Sequence, residues 1–253
     1  MLEQSVPICF AAVCQDGMAL QHVEEQTAEI CLAAVLQNGM ALQFADEAQM
    51  DEEPDICLSA VSQNGMSLEF VKVKTEYICA EAVQQNGYAL KHVPPTMQTP
   101  DICMLAIIYD GLTLEYVAEQ TPEICMAAVQ CDGHALRFVR IQTHEICMAA
   151  MLCSGALEYV KEQTEVLCIV AVGVNPYALK HVNNQTTELC MTAVKESGYQ
   201  LRYVRHQTPE ICVAAVRQSP WALEFVKDLS PEILEFVKSS TPETRAVAER
   251  YLR

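Results

Sequence analysis

Ten cysteines recur at nearly equal intervals along this chain: Cys9, Cys31, Cys57, Cys79, Cys103, Cys125, Cys147, Cys168, Cys190 and Cys212. The gaps are 22, 26, 22, 24, 22, 22, 21, 22 and 22 residues. A fixed period of this length marks a repeat architecture, in which one small supersecondary unit stacks on its own copies. The unit reads TPEICxAAVxxNGxALxxVxxQ. With its Thr counted as position 1, position 8 is Ala and position 16 is Leu in all ten copies.

Each copy carries two helix starts. Position 1 is Thr in eight copies, Ser5 in the first and Glu53 in the third. Thr and Ser accept hydrogen bonds from the unpaired N–H groups of a first turn. Pro follows at Pro54, Pro100, Pro122 and Pro209, which suits the first helical residue, and position 3 is acidic in seven copies, which suits the positive end of the helix dipole. Positions 4, 5, 8 and 9, as in Ile124, Cys125, Ala128 and Val129, then form one apolar stripe at helical spacing. Position 12 is Asn, Asp or Ser. Position 13 is Gly in eight copies but Pro176 and Pro220 in two. A left-handed turn residue does not become Pro, whose φ is locked negative, so this slot reads as a second N-cap opening a short second helix. Strands are the weaker reading, because Ala-Ala-Val and Ala-Leu fit a pleated surface poorly.

Two-turn helices do not bury their apolar faces alone, so the expected fold is all-α: an α-solenoid of about ten stacked two-helix repeats with a C-terminal helical cap. The repeat domain is expected over residues 1–229 and the cap over 230–253, where Ser230-Pro231-Glu232 and Thr241-Pro242-Glu243 each start a further helix. The period is broken at 46–55 (DEAQMDEEPD) and 93–99 (around Pro94 and Pro95), both expected to be surface loops.

The stretches TPEICMAAVQCDGHALRFV (121–139) and TPEICVAAVRQSPWALEFV (208–226) resemble a short helical repeat of about 22 residues, catalogued as a domain of unknown function. It occurs in proteins of intracellular bacteria and of giant viruses that infect amoebae. The resemblance covers roughly residues 5 to 239 and implies a helical repeat, sometimes near effector-type modules. It brings no catalytic residues.

Thirteen cysteines raise the question of metals and disulfides. The ten at position 5 lie on the buried stripe, where Cys acts as a small hydrophobe. Stacked helices sit about 8–10 Å apart, beyond the reach of a disulfide. There is no C-x-x-C pair, so no metal site or cofactor is expected. Cys14, Cys131 and Cys153 fall near the end of the first helix and are expected to be more exposed. Thiols in this number point to a reducing, cytoplasmic compartment, with delivery into a host cell left open. Cys131-Asp132-Gly133-His134 holds nucleophile, acid and base types, but adjacency in sequence is not the geometry catalysis needs, and Asp132 is expected to serve as an N-cap. His22, His92 and His181 share position 18 with Phe and Tyr and are expected to be half-buried between units. No catalytic residue is assigned.

The net charge of −17 argues against a nucleic-acid partner. Three Lys and Arg oppose 14 Asp and Glu over residues 1–95, five oppose 12 over 96–199, and eight oppose seven over 200–253. No apolar run is long enough for a membrane helix. What remains is a non-catalytic scaffold that binds a protein partner along one face. Position 14, which includes Tyr88, Tyr177, Tyr199 and Trp221, is either core between units or an exposed recognition stripe. Arg137 and Arg202 at the solvent-facing position 17, with Arg205, complete the candidate partner-binding set. The competing readings are a metal- or small-molecule-binding protein using Cys and His, and a non-catalytic fragment of a larger multidomain enzyme.

Overall fold

The structure is a computed structural model that describes residues 5–251; the first four residues of the expected repeat domain and the last two of the expected cap lie outside the described residues. Among the described residues it is an all-α repeat solenoid without strands. The α-helices are α1 (Val6–Gln15), α2 (Ala28–Gln37), α3 (Glu47–Glu52), α4 (Pro54–Gln63), α5 (Glu76–Gln85), α6 (Pro100–Tyr109) and α7 (Pro122–Cys131). They continue as α8 (His144–Ser154), α9 (Glu165–Val174), α10 (Thr187–Glu196), α11 (Pro209–Gln218), α12 (Pro231–Ser239) and α13 (Pro242–Tyr251). By packing, the chain divides into two compact units: Met1–Cys131 with Phe138–Arg140, and Asp132–Arg137 with Ile141–Arg253. In the first unit α1, α2, α4, α5, α6 and α7 pack each on the next, and in the second α8 to α13 do the same.

The capping expected from the repeat is largely present. Thr27 Oγ1 accepts from the N–H of Ile30, and the same bond recurs at Thr75, Thr99, Thr121, Thr143, Thr164, Thr186 and Thr208. Ser5 and Glu53 occupy the N-cap without making a side-chain cap bond. The second helix of each repeat is a 3₁₀ helix rather than an α-helix, such as Gly39–Phe44 after α2. Its bonds run from i to i+3, opening with Ala41 N–H on the carbonyl of the Asn38 cap at 2.8 Å. Its cap is the side chain of position 12: Asn38 Oδ1 accepts from Met40 N–H at 3.1 Å. Ser197 and Ser219, one bond shorter, make no such bond.

Glycine at position 13 answers to crowding rather than to φ. A Cβ on Gly39 would lie 2.4 Å from the Ala60 carbonyl oxygen of the next repeat, and one on Gly17 would lie 2.4 Å from that of Ala34. Among the described residues only Gly155 has positive φ, at 66°. It ends α8 in the copy that lacks position 14, where the 3₁₀ helix shrinks to Leu157–Tyr159. Pro176 and Pro220 sit half-buried where most copies bury glycine, as the sequence argument for a helix start requires.

The stripe at positions 4, 5, 8 and 9 is the core. Ile30, Cys31, Ala34 and Val35 are fully buried, and Leu42 at position 16 closes over them. Each such Ile or Leu contributes about 1.5–3 kcal/mol. In α1 the equivalents of positions 4 and 8, Ile8 and Ala12, are exposed.

Position 22 supplies a joint that the stripe does not. Gln185 Nε2 donates to the Leu179 carbonyl of its own repeat at 3.1 Å and to the Tyr203 carbonyl of the next at 2.9 Å. Its Oε1 accepts the Arg205 N–H at 2.9 Å and the Cys190 thiol at 3.9 Å. Gln120, Gln142, Gln163 and Gln207 make the same connections to the following repeat. A second amide at position 11 works backwards: Gln63 Oε1 accepts the Gly39 N–H at 2.6 Å, and Gln37, Gln85 and Gln218 repeat the bond. These bonds satisfy main-chain groups that the short helices leave open.

The irregular segments are more ordered than the expected loops. Residues 47–52 form α3, where Asp46 and Glu47 favour a helix start, and Pro95–Met97 form a single 3₁₀ turn. At the C-terminus Ser230 caps α12 through Ile233 N–H, and α13 packs on the 3₁₀ helix Pro220–Phe225.

Candidate functional site

The candidate aromatics of position 14 are half-buried to exposed, so this row is not a closed core between units. Tyr177 is 50% exposed, and Tyr199 and Trp221 are each 39% exposed. Tyr199 packs edge-on against Phe225 at 6.2 Å, and the Arg250 guanidinium lies 6.0 Å from the Trp221 ring centre. Tyr88 is the most tightly held. Its hydroxyl donates to Asp110 Oδ2, and its ring meets Tyr109 and Tyr116 edge-on at 6.2 and 6.3 Å. The hydrogen bond to Asp110, with burial and the carboxylate charge behind it, pushes the Tyr88 phenol up to about 12.

The three arginines do different work. Arg205 Nη1 and Nη2 donate to the carbonyls of Asn183 and Val182 at 2.6 and 2.8 Å, which ties it to the preceding repeat. Arg140 and Lys227 occupy the same position and make the same kind of bond. Arg202 lies over the Tyr203 and Phe225 rings at 5.2 and 5.3 Å, its Nε donating to Tyr199 O. Arg137 is exposed and lies within electrostatic reach of Asp132. Thus Arg202, Tyr199 and Phe225 form a surface cluster, whereas Arg205 and Tyr88 are committed to the frame.

The cysteines separate as expected. Those at position 5 are buried, while Cys14, Cys131 and Cys153 are exposed. Burial pushes the position-5 thiols from Cys31 to Cys212 up, to about 11 at Cys31 and Cys212, where nearby Asp46 and Asp228 reinforce it. Such thiols are poor nucleophiles at neutral pH. Among the described residues no group of three or more His, Cys, Asp or Glu is disposed to hold a metal ion. Asp132 caps the His134 N–H at 2.8 Å and meets its Nδ1 at 2.9 Å. Burial pulls its carboxyl up, but the bonds from His134 outweigh this and hold it below the usual range. Position 18 divides: His92 and His181 are half-buried, but His22 is exposed. Desolvation lowers both half-buried imidazoles, and the carboxylates Glu69 and Glu158 of the preceding repeats only partly oppose it.

A surface that the sequence reading passed over lies on the opposite side of the α-helices from the buried stripe. At about 100° per residue, positions 6, 7 and 10 point away from positions 4, 5, 8 and 9. In the first unit Leu36 is 58% and Ile108 73% exposed there. In the second, Leu152 is 62% and Ile169 43% exposed. The signal was present in the variable positions of the consensus, where Leu32, Met104, Met148, Ile169 and Met191 hold position 6. A helix apolar on both faces is ordinarily covered on both.

A family described as a domain of unknown function (DUF4116) matches residues 28–74, from the start of α2 to the segment before α5. No curated protein and no solved structure matches the chain. Among the described residues no helix is long and apolar enough to cross a membrane.

Proposed function

We propose that this protein is a non-catalytic scaffold that binds protein partners through the outer face of its α-helices. The observation that carries this reading is the second apolar face: large side chains such as Ile108 and Leu152 are exposed on helices whose other side is already fully buried. Exposed apolar surface in rows marks interaction sites. Solenoids use such surfaces because each repeat contributes a few side chains to one extended contact. In this reading residues 1–229 are one repeat domain closed by a cap at 230–253, the chain acts in the cytoplasm or after delivery into a host, and nucleic acid is not its ligand. The cluster of Tyr199, Arg202 and Phe225, with Tyr177 and Trp221, offers a second, aromatic contact surface on the 3₁₀ helices.

The test is to compare proteins retained by the wild-type chain with those retained by Ile108→Asp and Leu152→Asp variants, each checked for helicity by circular dichroism. A partner should be lost from one or both variants while the helical signal persists. Retention of the same partners by both variants would overturn the assignment of this face.

A further inference from the structure

The outer face is not uniform. In the second unit a groove of about 660 Å³ runs between α10, α11 and α12. Its floor is Met191, Val213 and Ala214, from positions 6 and 7 of α10 and α11, all half-buried. Lys195 and Arg217 stand over the C-terminal end of the groove, on the last turns of α10 and α11. Glu210 and Glu232 stand at the other end, in the first turns of α11 and α12. Among the described residues neither Lys195 nor Arg217 forms an ion pair with a carboxylate of this chain; Arg217 instead lies over the Phe236 ring at 5.4 Å. The two glutamates face one another without a cation between them, and the cap hydroxyls of Thr208 and Ser230 hold both carboxyls below the usual range, so both are charged at neutral pH.

We propose that this groove is a docking site for one amphipathic helix of a partner protein, lying antiparallel to α10 and α11. The proposal rests on the scaffold reading and gives it an occupant. The apolar floor suits side chains at i, i+4 and i+7 of a helix laid into it. The charges fix its direction. A helix is most stable with acidic residues in its first turn and basic residues in its last. Only the antiparallel orientation sets such a helix with its acidic start against Lys195 and Arg217 and its basic end against Glu210 and Glu232. A ten-residue groove wall is about 15 Å long, which matches roughly three turns of partner helix.

The experiment uses the full chain and two labelled peptides of about 14 residues, read by fluorescence anisotropy. Both carry leucines at i, i+4 and i+7. One opens with paired glutamates and closes with paired lysines; the other has these charges exchanged. The first should bind at least about tenfold more tightly than the second. The double variant Lys195→Glu with Arg217→Glu should weaken binding of the first peptide at least about tenfold, and Val213→Asp should remove binding of both. Equal affinity for the two peptides, binding that survives Val213→Asp, or no binding of either overturns the proposal. If the groove fails while Ile108- or Leu152-dependent partner binding persists, only the groove assignment falls; if both fail, the scaffold reading falls with it.

Discussion

Lys74 occupies the place where other repeats carry the joining glutamine, and Pro94, whose N–H that glutamine would have accepted, has no N–H to offer. A lysine ammonium has no acceptor, so the two absences match; Lys74 Nζ turns back to the Val71 carbonyl at 2.6 Å instead. The pairing fits an amide at position 22 that serves the main chain of the next repeat, since here both the amide and the N–H it would accept are missing; before Cys57 the place is held by Glu52.

Removing a working amide should therefore cost more than its exposure suggests. Gln185→Ala leaves the Tyr203 carbonyl and the Arg205 N–H without their partner. The expected loss is about 1–3 kcal/mol in urea unfolding. Lys74→Gln, facing Pro94, should change stability by about 0.5 kcal/mol or less.

Two glycines should respond in opposite directions to the same substitution. Gly39→Ala places a methyl 2.4 Å from the Ala60 carbonyl oxygen, a backbone atom, and should destabilise by about 1–3 kcal/mol. Gly173→Ala, in α9, meets nothing within 4 Å and should stabilise by about 0.5–1 kcal/mol. Thermal or urea unfolding of both variants checks the pair.

Gln200 stands at position 15, where most copies have Ala, and is fully buried with neither amide atom hydrogen-bonded. A buried polar group without a partner retains its desolvation penalty. Gln200→Leu keeps the volume and removes the polar atoms, so it should raise stability by about 1–2 kcal/mol, measured by urea unfolding.

Tyr88 gives a pH dependence with a definite sign. Its phenol is raised to about 12 in the folded chain, above the ordinary value of 10.0. The folded state thus holds the proton more tightly, and this contribution is complete below pH 10 and lost as pH rises through 12. Unfolding midpoints between pH 9 and about pH 11.5 should fall less in Tyr88→Phe than in wild type. A phenolate absorbance titration should show one fewer late-titrating tyrosine in the variant.

The repeat, its caps and its buried stripe are legible in the sequence because each rests on local chemistry: Thr27 caps three residues on, and Ile30, Cys31, Ala34 and Val35 share a face at helical spacing. The negative φ of the position-13 slot is legible too, from Pro176 and Pro220, but not its exception at Gly155, where the copy lacks position 14 and φ is 66°. What escapes is what depends on a neighbouring copy. The sequence shows Gln185 recurring but not that its amide reaches the Tyr203 carbonyl, nor that Gly39 answers to Ala60. Helix type escapes as well: the apolar spacing marks a helix after each cap but not that it winds as 3₁₀. The candidate surface is half-visible: Tyr199 and Trp221 are exposed at position 14, but Ile108 and Leu152 lie in columns that vary too much to enter a consensus. Arg205 looks like a surface contact until its guanidinium is seen on two carbonyls of the preceding repeat.

The position-22 amide addresses main-chain atoms that every amino acid but proline carries, together with the cysteine that all ten copies hold. A copy fitted with it does not need to recognise which copy follows. Such an array is free to lengthen by gene duplication, and to diversify its outward side chains one module at a time, without redesigning the seam between successive modules.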